Sequence, residues 1–552
     1  MRSIIDRDIS GLEENIRALK SRRNELSSIS RLPAEILCNI FFLGISWRPG
    51  SWTNFSQVSQ HWRSLALGAP ELWTDIPLNY HRWAQEMLKR SKKAKLTIQS
   101  RSSFLAPNSK ISETIRSCFS EMNRVEEIKL FTVSGLILED CFRVSPKSAP
   151  HLRILCIGSH SFSYVESGFS IPEDFLYDTE RLRRVELINC KISWDSRLLT
   201  GLTRLSLENC LDLEAKSSII QFLHALQRMP ALTDLHLKDS IPEDLENLST
   251  YPVVDLPYLR VLHIASGVRT LTTVLRHITM PPTTTWSLTC RGSQSTVIDF
   301  TNFFSVLATK FFPSLVVRKL SLRVLDGADL EFRFWTSTII SSPSQSQLVL
   351  SWTTLPVPHS YAKVLTCAFD GMSLPFLTQL DISTMECIDS ETWVKTFGTL
   401  PLLKQVYVHG SASPSFFEAL LHKTKAAEKS KTAYRNVSFP KLQHIDLEGI
   451  DFANLRSISV DRLLDCLMDR CERNAEVQML CLDNCFSLLS EDVERLEEVV
   501  VDVAWDGVEQ EVSDEDKEYD SDGNTIHSDS EDSDYGYDYG YDNFRPYSGL
   551  LW

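Results

Sequence analysis

The sequence predicts an α/β fold in which short parallel strands alternate with helices along most of the chain. One observation is an apolar pattern of the form LxxLxL, of which fourteen copies lie between residues 93 and 482. A second is that six copies carry a proline two residues before their first leucine, where it stops a preceding helix. A third is that the intervening segments carry apolar residues at helical spacing, as in Ile219, Leu223 and Leu226. Strand and helix therefore alternate.

The spacing of the copies has a physical explanation. Apolar residues at alternate positions make a short strand with one buried face. Returns of about thirty residues are long enough for a right-handed helical crossover to the next parallel strand. The pattern resembles leucine-rich repeats, and this resemblance implies an open solenoid over residues 93–505, with strands on the concave face and helices outside. Residues 270–360 are the least regular, and we expect one or two copies there to be false.

In such a solenoid the residue between the two inward positions of each strand points to the concave face. These positions are Thr97, Lys129, Cys156, Glu186, Ser206, His236, His263, Ser287, Ser321, Val349, Asp381, Tyr407, Asp446 and Cys481. The mixture favours binding of a protein, because it is neither the basic stripe that reads phosphates nor an apolar trough for lipid. The candidate substrate-binding residues are Glu186, Ser206, His236, His263, Asp381, Tyr407 and Asp446.

Residues 30–68 predict a small cluster of helices with more apolar surface than so short a segment can bury. Pro33 suits the first position of a helix, and Gly44 suits its end, so a helix is expected over residues 33–43. A second apolar stripe, which includes Phe55 and Trp62, follows at helical spacing. Fewer than fifty residues cannot form a large core. The exposed apolar side chains are therefore expected to belong to an interface.

The residues LPAEIL, IFF and VSQHWRSL in this segment resemble an F-box, with Ser59 standing where the family usually has cysteine. The resemblance implies docking to a Skp-type adaptor and, through it, to a cullin, so that the chain would be the substrate receptor of a Skp–cullin–F-box ubiquitin ligase. The adaptor-binding residues that it implies are Leu32, Pro33, Glu35, Ile36, Leu37, Ile40, Phe41, Val58, Trp62 and Leu65. The alternatives are ordinary core helices, or a repeat scaffold with no role in ubiquitin transfer.

Residues 1–29 predict an amphipathic helix. Apolar residues from Ile5 to Leu26 keep a 4-3-4-3-7 spacing, with Arg23 interrupting the seam. This spacing is enough for a short coiled coil and hence for self-association through residues 5–26, or for one helix packed beside the F-box. Both alternatives remain open.

Residues 69–92 form a junction whose apolar side chains, Leu72, Trp73 and Ile76, are expected to cap the core that follows. The basic run from Lys89 to Lys95 is interpreted as a solvated helix end that gives way to a strand, although a nuclear address has the same composition.

Residues 506–552 form an acidic tail. Fifteen Asp or Glu and one Lys lie between Asp506 and Asp542, so nearly all of the net charge of −15 is there. The tail has few aliphatic residues and is expected to be disordered. The negative charge argues against nucleic acid and anionic membranes as partners.

The thirteen cysteines are scattered, and charged residues interrupt the region after Met1, so no secretory signal and no disulfide framework is predicted. A reducing compartment, cytoplasmic or nuclear, is expected.

Catalytic chemistry has no recognisable motif in this sequence. The patterns GxxxxGK[ST], HExxH, GxSxG and GxGxxG are absent. Cys466, Cys471, Cys481 and Cys485 do not have the spacing of a known zinc site and are interpreted as buried repeat cysteines. We therefore expect a binding protein that is not an enzyme and has no cofactor or metal.

Overall fold

A computed structural model describes most of the chain. The described residues are 2–47, 52–100, 109–131, 133–144, 148–158, 169–211, 218–243, 252–291, 296–310, 312–314, 316–325, 329–336, 346–353, 359–372, 374–383, 388–410, 414–421, 437–454, 457–509, 517–519 and 525–527. The chain divides into two compact units. Unit 1 comprises Met1–Leu315 and Ser346–Pro356, and unit 2 comprises Val316–Gln345 and Val357–Trp552. The single solenoid domain over residues 93–505 stays a prediction.

The helices begin with side-chain caps where the sequence supplies them. Ser218 and Gln221 form a reciprocal capping box, and Asp389 and Ser459 each accept a backbone N–H at a helix start. The helices are α1 (Arg2–Glu25), α2 (Ala34–Trp47), α3 (Trp52–Val58), α4 (Gln60–Gly68), α5 (His81–Arg90), α6 (Ser109–Phe119), α7 (Gly135–Val144), α8 (Ile219–Gln227), α9 (Val268–His277), α10 (Val297–Lys310), α11 (His359–Gly371), α12 (Ser390–Thr396), α13 (Pro414–Leu421), α14 (Val460–Glu472) and α15 (Ser490–Glu497). Within the described residues, no helix has the length and apolar character needed to cross a bilayer.

The strands are short, and most follow the LxxLxL pattern. They are β1 (Asp75–Pro77), β2 (Leu96–Gln99), β3 (Val125–Leu130), β4 (Ile154–Gly158), β5 (Phe169–Ser170), β6 (Arg184–Ile188), β7 (Cys190–Lys191), β8 (Arg204–Glu208), β9 (Asp234–Lys238), β10 (Val254–Asp255), β11 (Val261–Gly267), β12 (Ile278–Thr279), β13 (Thr285–Arg291), β14 (Lys319–Leu325), β15 (Asp329–Trp335), β16 (Leu348–Thr353), β17 (Gln379–Ser383), β18 (Gln405–His409), β19 (His444–Glu448), β20 (Met479–Asp483), β21 (Asp502–Trp505), β22 (Lys517–Tyr519) and β23 (Thr525–His527).

In unit 1 a parallel sheet runs in the order β1, β2, β3, β4, β6, β8, β9, β11, β13, β16. Its leucines, such as Leu205 and Leu207, are buried on one face, and the residue between them lies on the other. Leu72, Trp73 and Ile76 are also buried, because β1 adds a strand beside β2. The segment after α4 thus continues the sheet.

In unit 2 the sheet order is β15, β14, β17, β18, β19, β20, β21. All neighbours are parallel except β14 and β15, which are antiparallel. Only residues 326–328 join those two strands, and so short a connection permits a hairpin but not a crossover. The sequence analysis did not predict β15.

The copies in residues 270–360 are all strands, but they do not follow one another in order. The strand that contains Leu348 pairs with the strand that contains Trp286 in unit 1, whereas Leu320 lies in unit 2. Each of these copies is therefore a strand, whereas their assignment as repeats stays a prediction. The physical reason for the changed order is the β14–β15 hairpin, which takes the place of one helical crossover.

The turn that follows many strands requires a left-handed backbone. Residues with positive φ at this place are Asn189, Asn209, Asp239, Gly410, Gly449 and Asn484. Asparagine, aspartate and glycine are the residue types that tolerate this conformation best. The adjacent cysteine thiols, Cys210 and Cys485, lie near the carbonyl oxygens of Leu187 and Leu447 on preceding strands. In each Asn-Cys pair, the asparagine thus forms the turn and the cysteine contributes a buried thiol.

The tail is only partly described. Residues 517–519 and 525–527 form a two-stranded antiparallel ladder, with Glu518 paired to Ile526. At these six positions Tyr519, Thr525 and Ile526 supply residues that favour strands, and the disorder expected of the tail stays a prediction. The remaining predicted tail beyond Glu509 lies outside the described residues.

Candidate functional site: an apolar helical face and a polar strand row

The first candidate site is built on α2, α3 and α4. Leu37, Phe41 and Trp62 are buried within this cluster. The ring of Phe41 stacks on Phe55 with centroids 5.0 Å apart and lies tilted to Trp62 at 4.9 Å. Of the ten residues that the F-box resemblance implies for adaptor contact, these three form the internal core instead. Their expected role at the adaptor surface is therefore not supported by their positions.

Gly44 does not end α2, which continues to Trp47, so the predicted boundary at residue 43 is wrong. A Cβ atom at Gly44 would lie 2.5 Å from Cζ of Phe55. Glycine is therefore needed at this position for close packing of α2 against the aromatic ring, and the helix passes through it.

Ser59 separates α3 from α4 and begins the second of them. Its backbone is extended, and its Oγ accepts a hydrogen bond from the backbone N–H of Trp62 at 3.1 Å. This is an N-cap, which stabilises a helix start by about 1 kcal/mol. Serine thus has a defined structural role here, because it divides the second apolar stripe between α3 and α4.

The remaining apolar side chains of the cluster are exposed. Ile36, Ile40 and Val58 are 45%, 37% and 54% exposed, and Pro33 and Glu35 are also at the surface. Leu32 and Leu65 are half-buried. Sequence reasoning missed two further exposed residues, Phe42 and Leu43, which the breadth of the apolar stripe on α2 could have indicated.

We call Ile36, Ile40, Leu43 and Val58 the apolar face. Ile36, Ile40 and Leu43 are spaced by four and three residues and therefore share one side of α2. Contiguous exposed apolar side chains on a soluble protein mark an interaction surface. The face lies on helices whose own core is already filled by Phe41 and Trp62.

The comparison with protein families decides what this cluster is. Residues 29–78 match the F-box-like family. The match begins at Ile29 and extends beyond the predicted boundary at residue 68 to include β1. A hydrogen bond joins this extension to α4, because Nε1 of Trp73 donates to the carbonyl of Ala66 at 2.8 Å. No curated protein is significantly similar to the chain. F-box domains generally bind Skp-type adaptors.

The second candidate site consists of the polar residues between the buried leucines, which we call the strand row. In unit 1 successive strands align Lys129, Cys156, Glu186, Ser206, His236, His263, Ser287 and Val349 in register. Thr97 does not join this row, because a shift in β2 pairs it with Glu127 and places Gln99 opposite Lys129. Thr97 still lies between the buried Leu96 and Ile98, as the pattern predicts, and only its pairing partner differs.

Glu186 is nearly inaccessible. Its carboxylate accepts a hydrogen bond from Arg184 at 2.8 Å and lies 3.5 Å from the thiol of Cys156. Burial, together with the charge of Glu186, raises the pKa of Cys156 to about 12. Glu186 thus positions its neighbours and offers little surface to a partner.

His236 and His263 stack, with ring centroids 5.6 Å apart and planes at 19°. Burial lowers the pKa of both rings, that of His263 to about 4. Both are therefore neutral near pH 7, and together with Ser206 they give the centre of the unit 1 row an uncharged, half-buried polar surface.

In unit 2 the strand row consists of Ser321, Asp381, Tyr407, Asp446 and Cys481. Asp381 is its charged centre: Lys319 and Arg323 each approach the carboxylate at 3.5 Å, and His409 approaches it at 3.4 Å. Burial alone would raise the pKa of Asp381, but these three basic groups lower it. The side chain is therefore a buried, ionised anchor for three neighbours.

Tyr407 and Asp446 are the more accessible members of this row. The ammonium group of Lys319 lies 5.1 Å from the ring centroid of Tyr407. Burial, and then the charges of Asp446 and Asp381, raise the pKa of the phenol. The row of unit 2 can therefore donate and accept hydrogen bonds and present both signs of charge.

Sequence reasoning missed a cluster at the edge of this row. His444 lies two residues before Asp446, and its Nε2 is 3.1 Å from Oδ1 of Asp446 and 3.4 Å from Sγ of Cys481. Cys481 is half-buried, not enclosed in the core. Burial, followed by the carboxylate of Asp446, raises the pKa of its thiol to about 12.

Proposed function

We propose that the chain is the substrate-recognition subunit of a Skp–cullin–F-box ubiquitin ligase. The observation that carries the proposal is the F-box-like domain. Its apolar face is exposed, whereas the other apolar side chains, Leu37, Phe41 and Trp62, are buried in the core of the same helices. The face would dock a Skp-type adaptor and, through it, a cullin. The protein would work in the cytoplasm, the nucleus or both. Such reducing compartments agree with the free thiols of the twelve described cysteines.

The two units would hold the protein substrate. We interpret their parallel strands as a degenerate leucine-rich-repeat array, interrupted by the β14–β15 hairpin. The strand row, with its neutral histidines in unit 1 and its mixed charges in unit 2, suits a polar protein surface. His236, His263, Tyr407 and Asp446 are the best contacts, since Glu186 and Asp381 are buried.

The chain would form and break no bonds itself. Holding a substrate lysine close to a ubiquitin thioester converts an encounter between molecules into a local reaction, and such positioning alone accelerates chemistry. The proposed function therefore requires only that one chain carries both an adaptor-binding surface and a substrate-binding surface.

The test is co-purification of the full chain with a Skp-type adaptor. Ile36→Asp with Ile40→Asp should abolish binding, because both changes place a charge in the apolar face without disturbing the buried Leu37 and Phe41. Ile298→Asp is the matched control, since Ile298 is exposed on α10, outside the matched family region. Circular dichroism checks that all variants fold.

Unchanged adaptor binding by the Ile36→Asp, Ile40→Asp variant would contradict the proposal. If the wild-type chain binds no Skp-type adaptor while its two units still capture a protein, the alternative of a binding scaffold without a ubiquitin role is correct.

We also infer self-association through α1. The seam residues Ile5, Ile9, Leu12, Ile16 and Leu19 are between 48% and 69% exposed, and no residue of α1 is buried. This exposure favours self-association over a helix packed beside the F-box. Near the end of α1, Asn24 and Gln60 of α4 line a common cleft.

Charges beside the seam favour an antiparallel pair. In a parallel pair Asp8 would face Glu13 of the second copy, which is repulsive. In an antiparallel pair Asp8 would face Arg22, and Asp6 would face Lys20. Asp6→Lys with Asp8→Arg should weaken the dimer roughly tenfold, since each exposed pair contributes about 0.3–0.5 kcal/mol. Adding Lys20→Asp and Arg22→Asp should restore it. Analytical ultracentrifugation measures both, and a monomeric wild-type chain would exclude the pairing.

A further inference from the structure

The His444, Asp446 and Cys481 cluster has the geometry of a metal site. Asp446 and Cys481 are direct partners in the parallel ladder of β19 and β20, so they lie side by side on one face. His444 lies on the same face, two residues before Asp446. One ligand atom from each residue can be chosen so that all three lie within 4.8 Å of one another. The two strands therefore bring a nitrogen, an oxygen and a sulfur ligand atom close together.

The distances between these atoms resemble the edges of a zinc tetrahedron. Zinc binds protein ligands at about 2.0–2.3 Å, so neighbouring ligand atoms in a tetrahedron lie about 3.3–3.7 Å apart. His444 Nε2 is 3.1 Å from the oxygen and 3.4 Å from the sulfur. The third edge, between the Asp446 oxygen and the Cys481 sulfur, lies within 4.8 Å, so these two atoms would approach each other by up to about 1 Å to receive the ion.

We propose that His444, Asp446 and Cys481 bind one Zn²⁺ ion and leave a fourth coordination position open. The donor set selects the metal, because thiolate and imidazole suit zinc, whereas Ca²⁺ and Mg²⁺ require oxygen ligands. The thiol proton passes to solvent as the zinc–sulfur bond forms, since thiolate is the ligand. The side chains of His444 and Asp446 are 26% and 19% exposed, which leaves a path for the ion.

Gln405 holds one of the ligands in place. Its Nε2 donates a hydrogen bond to Oδ2 of Asp446 at 3.2 Å, which leaves Oδ1 of that carboxylate for the proposed coordination bond. Such outer contacts orient metal ligands, and their loss commonly weakens binding tenfold or more. Gln405 belongs to β18, so three neighbouring strands contribute to the site.

The proposal is independent of adaptor docking. Asp446 and Cys481 belong to the strand row of unit 2, and the open position therefore lies at the row proposed to contact substrate. A donor atom from water or from a bound protein would complete the tetrahedron.

The experiment is titration of the chelator-treated full chain with Zn²⁺ against a chromophoric competitor, repeated with Co²⁺. The expected result is one ion per chain and, with Co²⁺, the charge-transfer absorption of a cobalt–thiolate bond. Cys481→Ser should remove that absorption and weaken zinc binding at least tenfold, and Asp446→Asn should weaken zinc binding while keeping the absorption. Cys471→Ser is the matched control, because Cys471 is an exposed thiol in the same unit outside the cluster. Its binding and spectrum should equal those of the wild type.

Two outcomes would overturn the proposal. One is absence of stoichiometric zinc in the folded wild-type chain. The other is equal zinc affinity in wild type, Asp446→Asn and Cys481→Ser, which would place the ion among other thiols. Thermal melting without metal shows whether each variant folds. If Cys481→Ser does not fold, the zinc affinity of Asp446→Asn tests the proposal.

Discussion

His409 lies between two carboxylates: its Nε2 atom is 3.4 Å from Oδ1 of Asp381, and its Nδ1 atom is 2.8 Å from Glu448. The close approach of Asp381 is the main cause that raises the pKa of His409, and the same contact helps lower the pKa of Asp381. Two strands of unit 2, β17 and β18, are thus joined by a pair whose strength depends on pH.

The first prediction is that the stability of unit 2 falls at both ends of the pH range. The contribution of His409 is complete below about pH 6.5, its unfolded pKa, and is lost as the pH rises through its higher folded value. The contribution of Asp381 is present above about pH 3.9 and is lost as the pH falls through its lower folded value. Urea unfolding at a series of pH values measures both.

His409→Gln should remove the loss of stability above pH 6.5 while keeping a neutral hydrogen-bonding side chain. His224, in unit 1, provides the control substitution His224→Gln, and its pH profile should match the wild type. A wild-type stability that is constant between pH 6 and pH 9 would contradict the prediction.

A second prediction compares two glycines in helices. Gly44→Ala should destabilise the F-box-like domain by about 1–3 kcal/mol, because the added methyl group overpacks against Phe55 and disturbs its stack on Phe41. Gly11→Ala should instead stabilise α1 by about 1 kcal/mol, since nothing lies within 4 Å of the added atom. Hydrogen exchange of α2 and α1 reports each change. Equal effects of the two substitutions would contradict the packing at Gly44.

A third prediction separates the buried core of the F-box-like domain from its apolar face. Leu37→Ala should cost about 2–5 kcal/mol, because Leu37 is fully buried. Ile36→Ala, one residue earlier and largely exposed, should cost well under 1 kcal/mol. Proteolysis of native protein should therefore cleave residues 29–78 faster in Leu37→Ala only. Equal protease resistance in both variants would show that this division is wrong.

A fourth prediction concerns Arg470, a fully buried side chain of α14. Its guanidinium donates to the carbonyl oxygens of Leu420, Ser438 and Phe439 at 3.0–3.3 Å. Arg470→Ala should destabilise unit 2 by about 3–5 kcal/mol, because it leaves buried carbonyls without donors and opens a cavity. Arg473→Ala, on the same helix turn but more exposed, should cost about 1 kcal/mol. Urea midpoints measure the difference, and similar midpoints would contradict it.

The local structure could be predicted because it depends on short patterns. The leucines that alternate at Leu205 and Leu207 define both a strand and its buried face, and the same pattern places His236 and His263 side by side. To predict the register between two strands, one must also know which strands pair. At Thr97 an irregularity in β2 changes the partner to Glu127, and the pattern alone does not predict that change.

The order of the strands could not be predicted in the same way. The pairing of Trp286 with Leu348 joins residues far apart in the chain. The strand that contains Leu320 has the same local pattern, so the pattern does not identify which strand pairs with that of Trp286. The cluster around Cys481 was missed for a related reason, since His444 lies outside the row and its proximity appears only after β19 and β20 pair. The division of the F-box-like residues into core and face likewise depends on the packing of α2 against α3 and α4.

The strand order of the two sheets has a consequence for how the protein can be made and divided. The chain leaves unit 1 after Leu315, returns to it for Ser346–Pro356, and then leaves again. No cut at a single peptide bond yields either unit whole. During synthesis the β14–β15 hairpin emerges from the ribosome before β16, so unit 1 receives its last strand only after the first two strands of unit 2 already exist.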